Sequence, residues 1–173
     1  MRIGADYYPE HWEKERWKTD AEMMVKANIK VIRIGEFAWS LYEPEEGKYE
    51  FDWMDEALDF FGKYGIKVVM CTPSATPPKW MIDKYPDILQ NDIHGNPKLF
   101  GTRKHYCFNS QTYREKTKKL NTLIAKRYAK HPAIEPWQVD NELGWSNTTR
   151  CYCKSCENRF RNWLKEKYGT IDN

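Results

Sequence analysis

Two short segments of the chain carry residue types that could do chemistry. One is the acidic turn Asp140-Asn141-Glu142, and the other is a group of cysteines close to it in sequence. The acidic turn directly follows the apolar run 134–139, which has the length and composition of a β-strand. An α/β barrel places its catalytic groups at this kind of position, just beyond the carboxyl end of a strand. The turn is therefore the first candidate for a catalytic site.

Glu142 is the candidate acid/base residue of this turn. Cleavage of a glycosidic bond takes one carboxylic acid to protonate the leaving oxygen and a second carboxylate across the sugar ring. The acid needs a raised pKa, and Trp137 and Trp145 nearby in sequence favour the partly desolvated surroundings that raise it. Asn141 could hydrogen-bond the hydroxyl next to the anomeric carbon. Alternatively, the three residues 140–142 form only a helix-capping turn.

The cysteines have the spacing of a metal site. Cys151, Cys153 and Cys156 place three thiols within six residues. A tetrahedral zinc ion takes four ligands, and Cys107 could supply the fourth from the long loop after the preceding strand. Four thiolates leave no open coordination position, which makes such a site structural rather than catalytic. A redox Cys-x-x-Cys pair and cysteines packed without a metal are the alternatives. Cys71 ends an apolar strand and is interpreted as a core residue.

The elements that must position these residues alternate along the chain. Short apolar runs predict strands at 3–5, 31–34, 66–71 and 134–139, the last irregular because it contains Pro136. Amphipathic stretches between and after them predict four helices. The first helix is expected from Trp17 to Ala27 and the last from Phe160 to Gly169. The second has Asp52 as its N-cap and ends at Gly65, and the third has Ser110 as its N-cap and ends before Pro132.

This order predicts an α/β fold with a parallel sheet, because each strand is followed by a helix. The loops after the strands are long and rich in aromatic, proline and acidic residues, as in barrels. A closed barrel takes about 250 residues. We therefore predict that residues 1–173 are the N-terminal half of a (β/α)8 TIM barrel, with strands 1–4 and helices 1–4, and that the rest of the barrel and later domains are absent. A complete small doubly wound domain is the alternative, although the glycine-rich phosphate loop is missing.

Composition and charge narrow the function classes. The net charge is only +3 and the lysines are scattered, which excludes the basic stripe of a nucleic-acid-binding protein. No apolar run approaches the roughly 20 residues of a membrane span. The N-terminus lacks the pattern of a secretory signal, so a cytoplasmic protein is expected, with the Asn147 glycosylation sequon a chance match. Aromatic residues make up 15% of the chain, which suits both sugar contact and core packing.

Six sequence motifs occur together in one order. They are GADYYPEHW (4–12), RIGEFAW (33–39), TPSATPPKW (72–80), YCFNS (106–110), WQVDNE (137–142) and the cysteine group. In these motifs the chain resembles the β-galactosidases of glycoside hydrolase family 42, over essentially its whole length. An isolated Asn-Glu pair would have suggested only the wider clan of retaining barrel glycosidases.

The resemblance implies a retaining hydrolase that releases terminal β-D-galactose from a β-galactoside. It implies that Glu142 is the proton donor, that Asn141 and Arg103 bind the sugar, and that Arg33 and Glu36 line the same pocket. For Arg33 the alternative is a buried structural ion pair with Glu36 or another carboxylate. For Arg103 the alternative is a solvated loop residue.

The resemblance also implies a structural zinc ion on Cys107, Cys151, Cys153 and Cys156, and a parent protein that forms a homo-oligomer, a trimer. The family's nucleophile is a glutamate at the end of the seventh strand, so we expect the isolated chain to be inactive. No nucleic-acid or membrane partner is expected. Two other functions remain open: a module that binds sugars without hydrolysing them, and a zinc-stabilised α/β domain with a structural or protein-binding role.

Overall fold

The four apolar runs form one parallel sheet in the computed structural model, which describes residues 2–102, 104–144 and 149–170. Neighbouring strands pair in the order β1-β2-β3-β4. The strands are β1 Ile3–Asp6, β2 Ile29–Ile34, β3 Lys67–Cys71 and β4 Ile134–Gln138. The helices are α1 Lys14–Lys26, α2 Trp39–Tyr42, α3 Asp52–Lys63, α4 Lys79–Lys84, α5 Gln111–Tyr128 and α6 Lys154–Tyr168. The predicted alternation of strands and helices is confirmed.

The chain divides into two compact units. The first consists of Met1–Pro78 and Asn121–Asn141 and contains all four strands together with α1, α2 and α3. The second consists of Lys79–Leu120 and Glu142–Asn173 and contains α4 and α6. Helix α5 contributes residues to both units. The sheet therefore belongs to one unit, and the four candidate metal ligands, which we call the cysteine cluster, belong to the other: Cys107, Cys151, Cys153 and Cys156.

The core of the first unit lies on one face of the sheet. In β2, Ile32 and Ile34 are completely buried, whereas Val31 and Arg33 point to the other face and are half-buried. Helix α3 buries Met54, Ala57, Leu58 and Phe61, whose spacing puts them on one side of the helix. Helix α1 buries Trp17, Ala21 and Met24. Alternation along β2 thus separates the packed face from the face that carries Arg33.

Strand β4 is irregular, as Pro136 predicted. The register between β3 and β4 shifts between Val68, which pairs with Ile134, and Met70, which pairs with Trp137. Proline has no N–H to give to the ladder, so it occupies the irregular position of this edge strand. The pairing recovers beyond it, where Thr72 donates its backbone N–H to the carbonyl of Gln138.

The segment 72–109, expected to be a long loop, contains short helical elements. These are the 3₁₀ turns Pro73–Ala75 and Pro86–Ile88 and the helix α4. Each 3₁₀ turn begins at a proline, which fits the first helical position because its backbone nitrogen needs no partner there. Prolines that were interpreted as loop residues therefore start turns.

The two helix caps expected from the sequence have different outcomes. Ser110 caps α5, since its hydroxyl oxygen accepts the backbone N–H of Tyr113 at 3.3 Å. The expected cap at Asp52 is wrong: Asp52 is the first residue of α3, and the cap position is Phe51, which makes no side-chain cap bond.

Among the described residues no helix is both long and apolar enough to cross a membrane.

Candidate functional site

Polar side chains meet at the carboxyl ends of the strands in the first unit. Asp6 ends β1, Arg33 lies near the end of β2 with Glu36 just after it, and Gln138 ends β4 with Asn141 three residues later. We call these five residues the strand-end cluster. Parallel strands bring their carboxyl ends to the same edge of the sheet, so residues far apart in sequence become neighbours.

Arg33 connects the strand-end cluster. Its Nε and Nη2 donate to the two carboxylate oxygens of Asp6, at 2.8 and 2.9 Å. Nη1 donates to the side-chain oxygens of Gln138 and Asn141, at 3.2 and 3.3 Å. Nη2 also lies 2.9 Å from Oε1 of Glu36. All three guanidinium nitrogens are thus engaged within the protein. This geometry supports the ion-pair interpretation of Arg33, and direct contact with a sugar stays a prediction.

Glu36 is a fully buried carboxylate. Its Oε1 accepts the hydroxyl of Tyr8 at 2.8 Å as well as the contact from Arg33. Burial, followed by the hydrogen bond to Glu36, raises the pKa of Tyr8 to about 12. Burial and the nearby Glu36 charge likewise raise the pKa of the Cys71 thiol to about 12. Both groups therefore stay protonated around the negative charge of Glu36.

The acidic turn is fixed by side chains from two strand ends. The amide nitrogen Nε2 of Gln138 donates to the backbone carbonyl of Asp140 at 2.9 Å and to Oδ1 of Asn141 at 3.3 Å. From the end of β3, the hydroxyl oxygen of Thr72 accepts the backbone N–H of Asp140 at 2.8 Å. Asp140 and Asn141 are both buried. The side chain of Asn141 therefore has a defined orientation, with Oδ1 held by Arg33 and Gln138.

Glu142 is exposed and has a left-handed backbone, with φ of 49°. Asp140 shares this conformation, with φ of 60°, which is uncommon for residues other than glycine. The turn does not cap α6, whose N-cap is Cys153. The partly desolvated surroundings expected for Glu142 rested on Trp137, which is exposed, and on Trp145, so they stay a prediction. Arg103 and Trp145 lie outside the described residues, as does Asn147.

The four predicted metal ligands come together in the second unit. The sulfur atoms of Cys107, Cys151, Cys153 and Cys156 all lie within 4.8 Å of one another. The Cys107 sulfur is 3.4 Å from the sulfurs of both Cys153 and Cys156. Zinc–sulfur bonds of about 2.3 Å in a tetrahedron put sulfurs about 3.8 Å apart. All five cysteines of the chain are free thiols. Four cysteines could therefore hold a metal ion.

Electrostatics within this cysteine cluster favour a thiolate. The hydrogen bond with Cys107 lowers the pKa of Cys151 to about 4, and the same contact raises the pKa of Cys107. Burial raises the pKa of Cys156. Cys107 and Cys153 are buried, whereas Cys151 and Cys156 are half-buried. Cysteine binds metal as a thiolate, so the lowered pKa of Cys151 favours the form that a metal ion needs.

Backbone hydrogen bonds place the cysteines. The Cys107 N–H donates to the carbonyl of Ile88 at 2.6 Å, and the Tyr152 N–H donates to the carbonyl of Asn91 at 3.0 Å. The cluster thus links the loop after β3 to the segment that precedes α6. This linkage was expected from the sequence, since the fourth thiol had to come from that loop.

Several residues of the site were missed by sequence reasoning. They are Asp6, Tyr8, Thr72, Gln138 and Asn109, the last of which contacts two of the cysteines. Asp6 and Gln138 end their strands and Thr72 follows one. Position at a strand's carboxyl end was therefore a signal available in the sequence. Asn109 carried no such signal.

Comparison with known proteins gives consistent matches. A family model of glycoside hydrolase family 42, described as β-galactosidase, matches residues 6–173. A β-galactosidase of Thermus thermophilus is 52% identical over 170 residues, covering 98% of this chain and 26% of the relative. A β-galactosidase of Haloferax lucentense is 46% identical over 171 residues, covering 99% and 26%. The chain spans about a quarter of the length of these curated relatives.

Solved structures agree with the sequence matches. The β-galactosidase from the psychrophilic Marinomonas ef1 superposes with a TM-score of 0.95 at 46% identity, covering 99% of this chain and 26% of that one. The enzyme from Halorubrum lacusprofundi gives 0.94 at 46% identity, with coverage of 99% and 26%. The catalytic domain of a β-amylase from Paenibacillus polymyxa, at 14% identity and a TM-score of 0.74, shares the fold alone. The predicted architecture, the N-terminal half of a TIM barrel, is confirmed.

Proposed function

Since the chain belongs to glycoside hydrolase family 42, we propose that it forms the acid/base half of a retaining β-galactosidase that releases terminal β-D-galactose. The observation that carries the proposal is the strand-end cluster, which fixes Asn141 immediately before Glu142 in the chain. Most retaining glycosidases use two carboxyl groups, of which one donates the proton and later acts as base. Glu142 takes that role here.

Asn141 binds the sugar in this proposal. Its Oδ1 already accepts from Arg33 and Gln138, so the amide nitrogen is the group directed to a substrate oxygen. A hydrogen bond to the hydroxyl next to the anomeric carbon strengthens in the transition state. Arg103, Arg33 and Glu36 are further sugar-binding residues in this proposal, and Arg33 acts at least through its hydrogen bond to Asn141.

The nucleophile is assigned to a glutamate outside these 173 residues, in the part of the relatives' length that the chain does not span. In a retaining enzyme the two carboxyl groups lie about 5–5.5 Å apart. The proximity of that second carboxylate, together with bound substrate, supplies the desolvation and charge that raise the acid's pKa. The exposure of Glu142 in this chain is compatible with a catalytic site whose second carboxylate lies outside these 173 residues. Residues 1–173 are then a partial catalytic domain, inactive alone. A trimeric parent and a cytoplasmic location stay predictions.

We further propose that the four cysteines hold a structural Zn²⁺ ion. Mutual sulfur distances within 4.8 Å fit tetrahedral ligation, and four thiolates leave no position for a reacting water. Bound zinc would supply a cross-link between the loop after β3 and the start of α6. The four cysteines would bind the metal as thiolates.

A chimera tests the hydrolase proposal. The 170 residues of this chain that align with the Thermus thermophilus β-galactosidase, at 52% identity, would replace the matching segment of that enzyme. The chimera should hydrolyse a chromogenic β-galactoside, and Glu142→Gln should lower kcat by about 10²–10⁴-fold, the usual contribution of a general acid/base. The exposed Glu166→Gln is the matched control and should leave kcat unchanged.

Azide separates a lost acid/base from a damaged fold. Azide is a nucleophile that needs no general base, so it should restore turnover of an activated substrate by the Glu142→Gln chimera. The product should be β-galactosyl azide, with retained configuration. Full activity of Glu142→Gln without azide would refute the assignment of Glu142.

Zinc is tested on the 173-residue chain itself. Elemental analysis should find one zinc per chain in the wild type and none after Cys151→Ser together with Cys153→Ser. Cys71→Ala is the matched control, because Cys71 is a buried cysteine outside the cluster, and it should retain the metal. A wild-type chain that binds no zinc under saturating conditions would contradict the proposal.

A further inference from the structure

Asn109 touches two sulfurs of the cysteine cluster without being one of the candidate ligands. Its backbone N–H donates to the Cys107 sulfur at 3.3 Å. Its side-chain Nδ2 donates to the Cys156 sulfur at 3.2 Å. These two bonds reach one buried and one half-buried cysteine. Among the described residues, Asn109 is the non-cysteine side chain for which a hydrogen bond to a cluster sulfur is found.

Four thiolates around Zn²⁺ carry a net charge of −2, which a half-buried site must accommodate. Hydrogen bonds from N–H groups spread this charge and fix the direction of each sulfur. Backbone donors reach Cys151 from Asn91 and Cys153, and reach Cys107 from Asn109. For Cys156 the donor is the amide side chain of Asn109. Cys156 is therefore the ligand whose support depends on the identity of residue 109.

The surroundings of Cys156 make this support consequential. Asn109, Cys151 and Cys156 line an open groove of about 880 Å³, whose wall also includes Tyr152 and Phe160. Cys151 and Cys156 are half-buried on this open side of the cluster, whereas Cys107 and Cys153 are buried. The amide of Asn109 thus holds a sulfur that is accessible to solvent.

We infer that Asn109 is a positioning residue of the cysteine centre, whose side-chain amide holds the Cys156 thiolate on the metal and so strengthens zinc binding. The inference rests on the proposed zinc site. The backbone N–H bond to Cys107 does not depend on the side chain, so a substitution at 109 removes one of the two bonds and leaves the other.

The test measures zinc affinity of the full 173-residue chain by competition with a chromophoric chelator. Asn109→Leu keeps a similar volume and removes the donor. Loss of a partner of a metal ligand typically weakens binding about 10–100-fold, and that is the loss expected here. Asn109→Asp, similar in shape, replaces the donor with a negative charge beside the thiolates and should weaken zinc binding at least as much. It also serves if Asn109→Leu does not fold.

A spectroscopic readout separates positioning from general destabilisation. With Co²⁺ in place of Zn²⁺, loss of the N–H···S bond makes one thiolate more electron-rich. The sulfur-to-cobalt charge-transfer band should then shift to lower energy in Asn109→Leu and Asn109→Asp. Gln111→Leu is the matched control, an amide removed two residues away whose side chain bonds Glu115 instead. It should change neither affinity nor spectrum.

The outcomes distinguish this inference from the zinc proposal. If the wild type binds no zinc, the zinc proposal fails and the inference fails with it. If the wild type binds zinc and both Asn109 variants bind it within twofold of wild type, the zinc site stands and the role of Asn109 is overturned. The role of Asn109 would also be overturned if the Asn109 variants bound zinc more weakly without the band shift and Gln111→Leu weakened binding equally.

Discussion

Arg33 donates to the side-chain oxygen of Asn141 at 3.3 Å, although 108 positions separate the two residues in sequence. The same guanidinium is held by both carboxylate oxygens of Asp6. Arg33 of β2, which is held by Asp6 of β1, therefore orients the side chain of Asn141, which follows β4. The amide of Asn141 consequently depends on three strands.

Arg33→Lys should disrupt this orientation while preserving the charge. An ammonium group cannot form the planar fork that reaches Asp6, Gln138 and Asn141 at once. A hydrogen bond to a charged group contributes about 1.5–3 kcal/mol, which corresponds to about 10–100-fold in rate. We expect kcat/KM of the Thermus chimera on a β-galactoside to fall by that factor. Arg161→Lys, on an exposed helix residue paired only with Glu157 in the described structure, should have no effect.

Tyr128→Phe should lower the free energy of unfolding. Tyr128 is 2% exposed, and its hydroxyl donates to Oδ1 of Asp55 at 2.8 Å. The hydrogen bond from Arg127 lowers the pKa of Asp55 most, and the hydrogen bond from Tyr128 lowers it further. Removing the hydroxyl should cost about 1.5–3 kcal/mol in urea unfolding at pH 7. The exposed Tyr168→Phe is the control.

The loss in Tyr128→Phe should depend on pH. A carboxyl group with a lowered pKa contributes stability above its unfolded pKa and loses it as the pH falls through the folded value. The difference between wild type and Tyr128→Phe should therefore shrink on acidification below about pH 4. A difference that stayed constant down to pH 2 would argue against a charged acceptor.

Cys71 should make the chain sensitive to alkali. Burial raises its pKa from 9.0 to about 12, so the folded protein keeps a proton that the unfolded chain releases. That contribution is fully present below pH 9 and is lost as the pH rises through 12. Cys71→Ala should flatten the fall in unfolding free energy across this range. An unchanged slope would show that other groups, such as Tyr8, dominate alkaline unfolding.

Removal of metal should loosen part of the second unit. Binding to the folded state at about 100 times Kd stabilises it by about 2.7 kcal/mol. Chelation should therefore reduce amide-exchange protection about 100-fold at residues 88–109 and in α6, measured by mass spectrometry. Protection in β2 and β3, which carry none of the candidate metal ligands, should be unaffected. Uniform loss of protection would contradict a local role for the metal.

The elements that sequence predicted best are those that burial periodicity defines. Helix α3 repeats its apolar residues at 54, 57, 58 and 61, and the structure buries all four. The Ser110 cap and the irregularity at Pro136 were predicted because each follows from the chemistry of a single residue. The cysteine cluster was predicted because three of its members are close in sequence.

What the sequence did not predict depends on distant partners. Gln138 was interpreted only as a strand residue, whereas its side-chain oxygen lies 3.2 Å from Nη1 of Arg33, 105 positions away. Asp6 likewise gains its role from a neighbouring strand. Helix α4 was missed because proline-rich flanks resemble loop, and Asp52 was misassigned because a first-turn aspartate resembles a cap. Local patterns indicate that these residues end strands, but they do not indicate which side chains contact one another across the sheet.

The four candidate metal ligands lie in the second compact unit, whereas the fifth cysteine, Cys71, ends β3 in the unit that contains the sheet. Metal content is therefore a poor quality-control assay for preparations in which the strand ends have been altered. A purified variant could bind metal at the four cysteines while the strand-end cluster was misarranged. The arrangement of Asp6, Arg33 and Asn141 should instead be monitored through the sheet, whereas Glu142 belongs to the same unit as the four ligands.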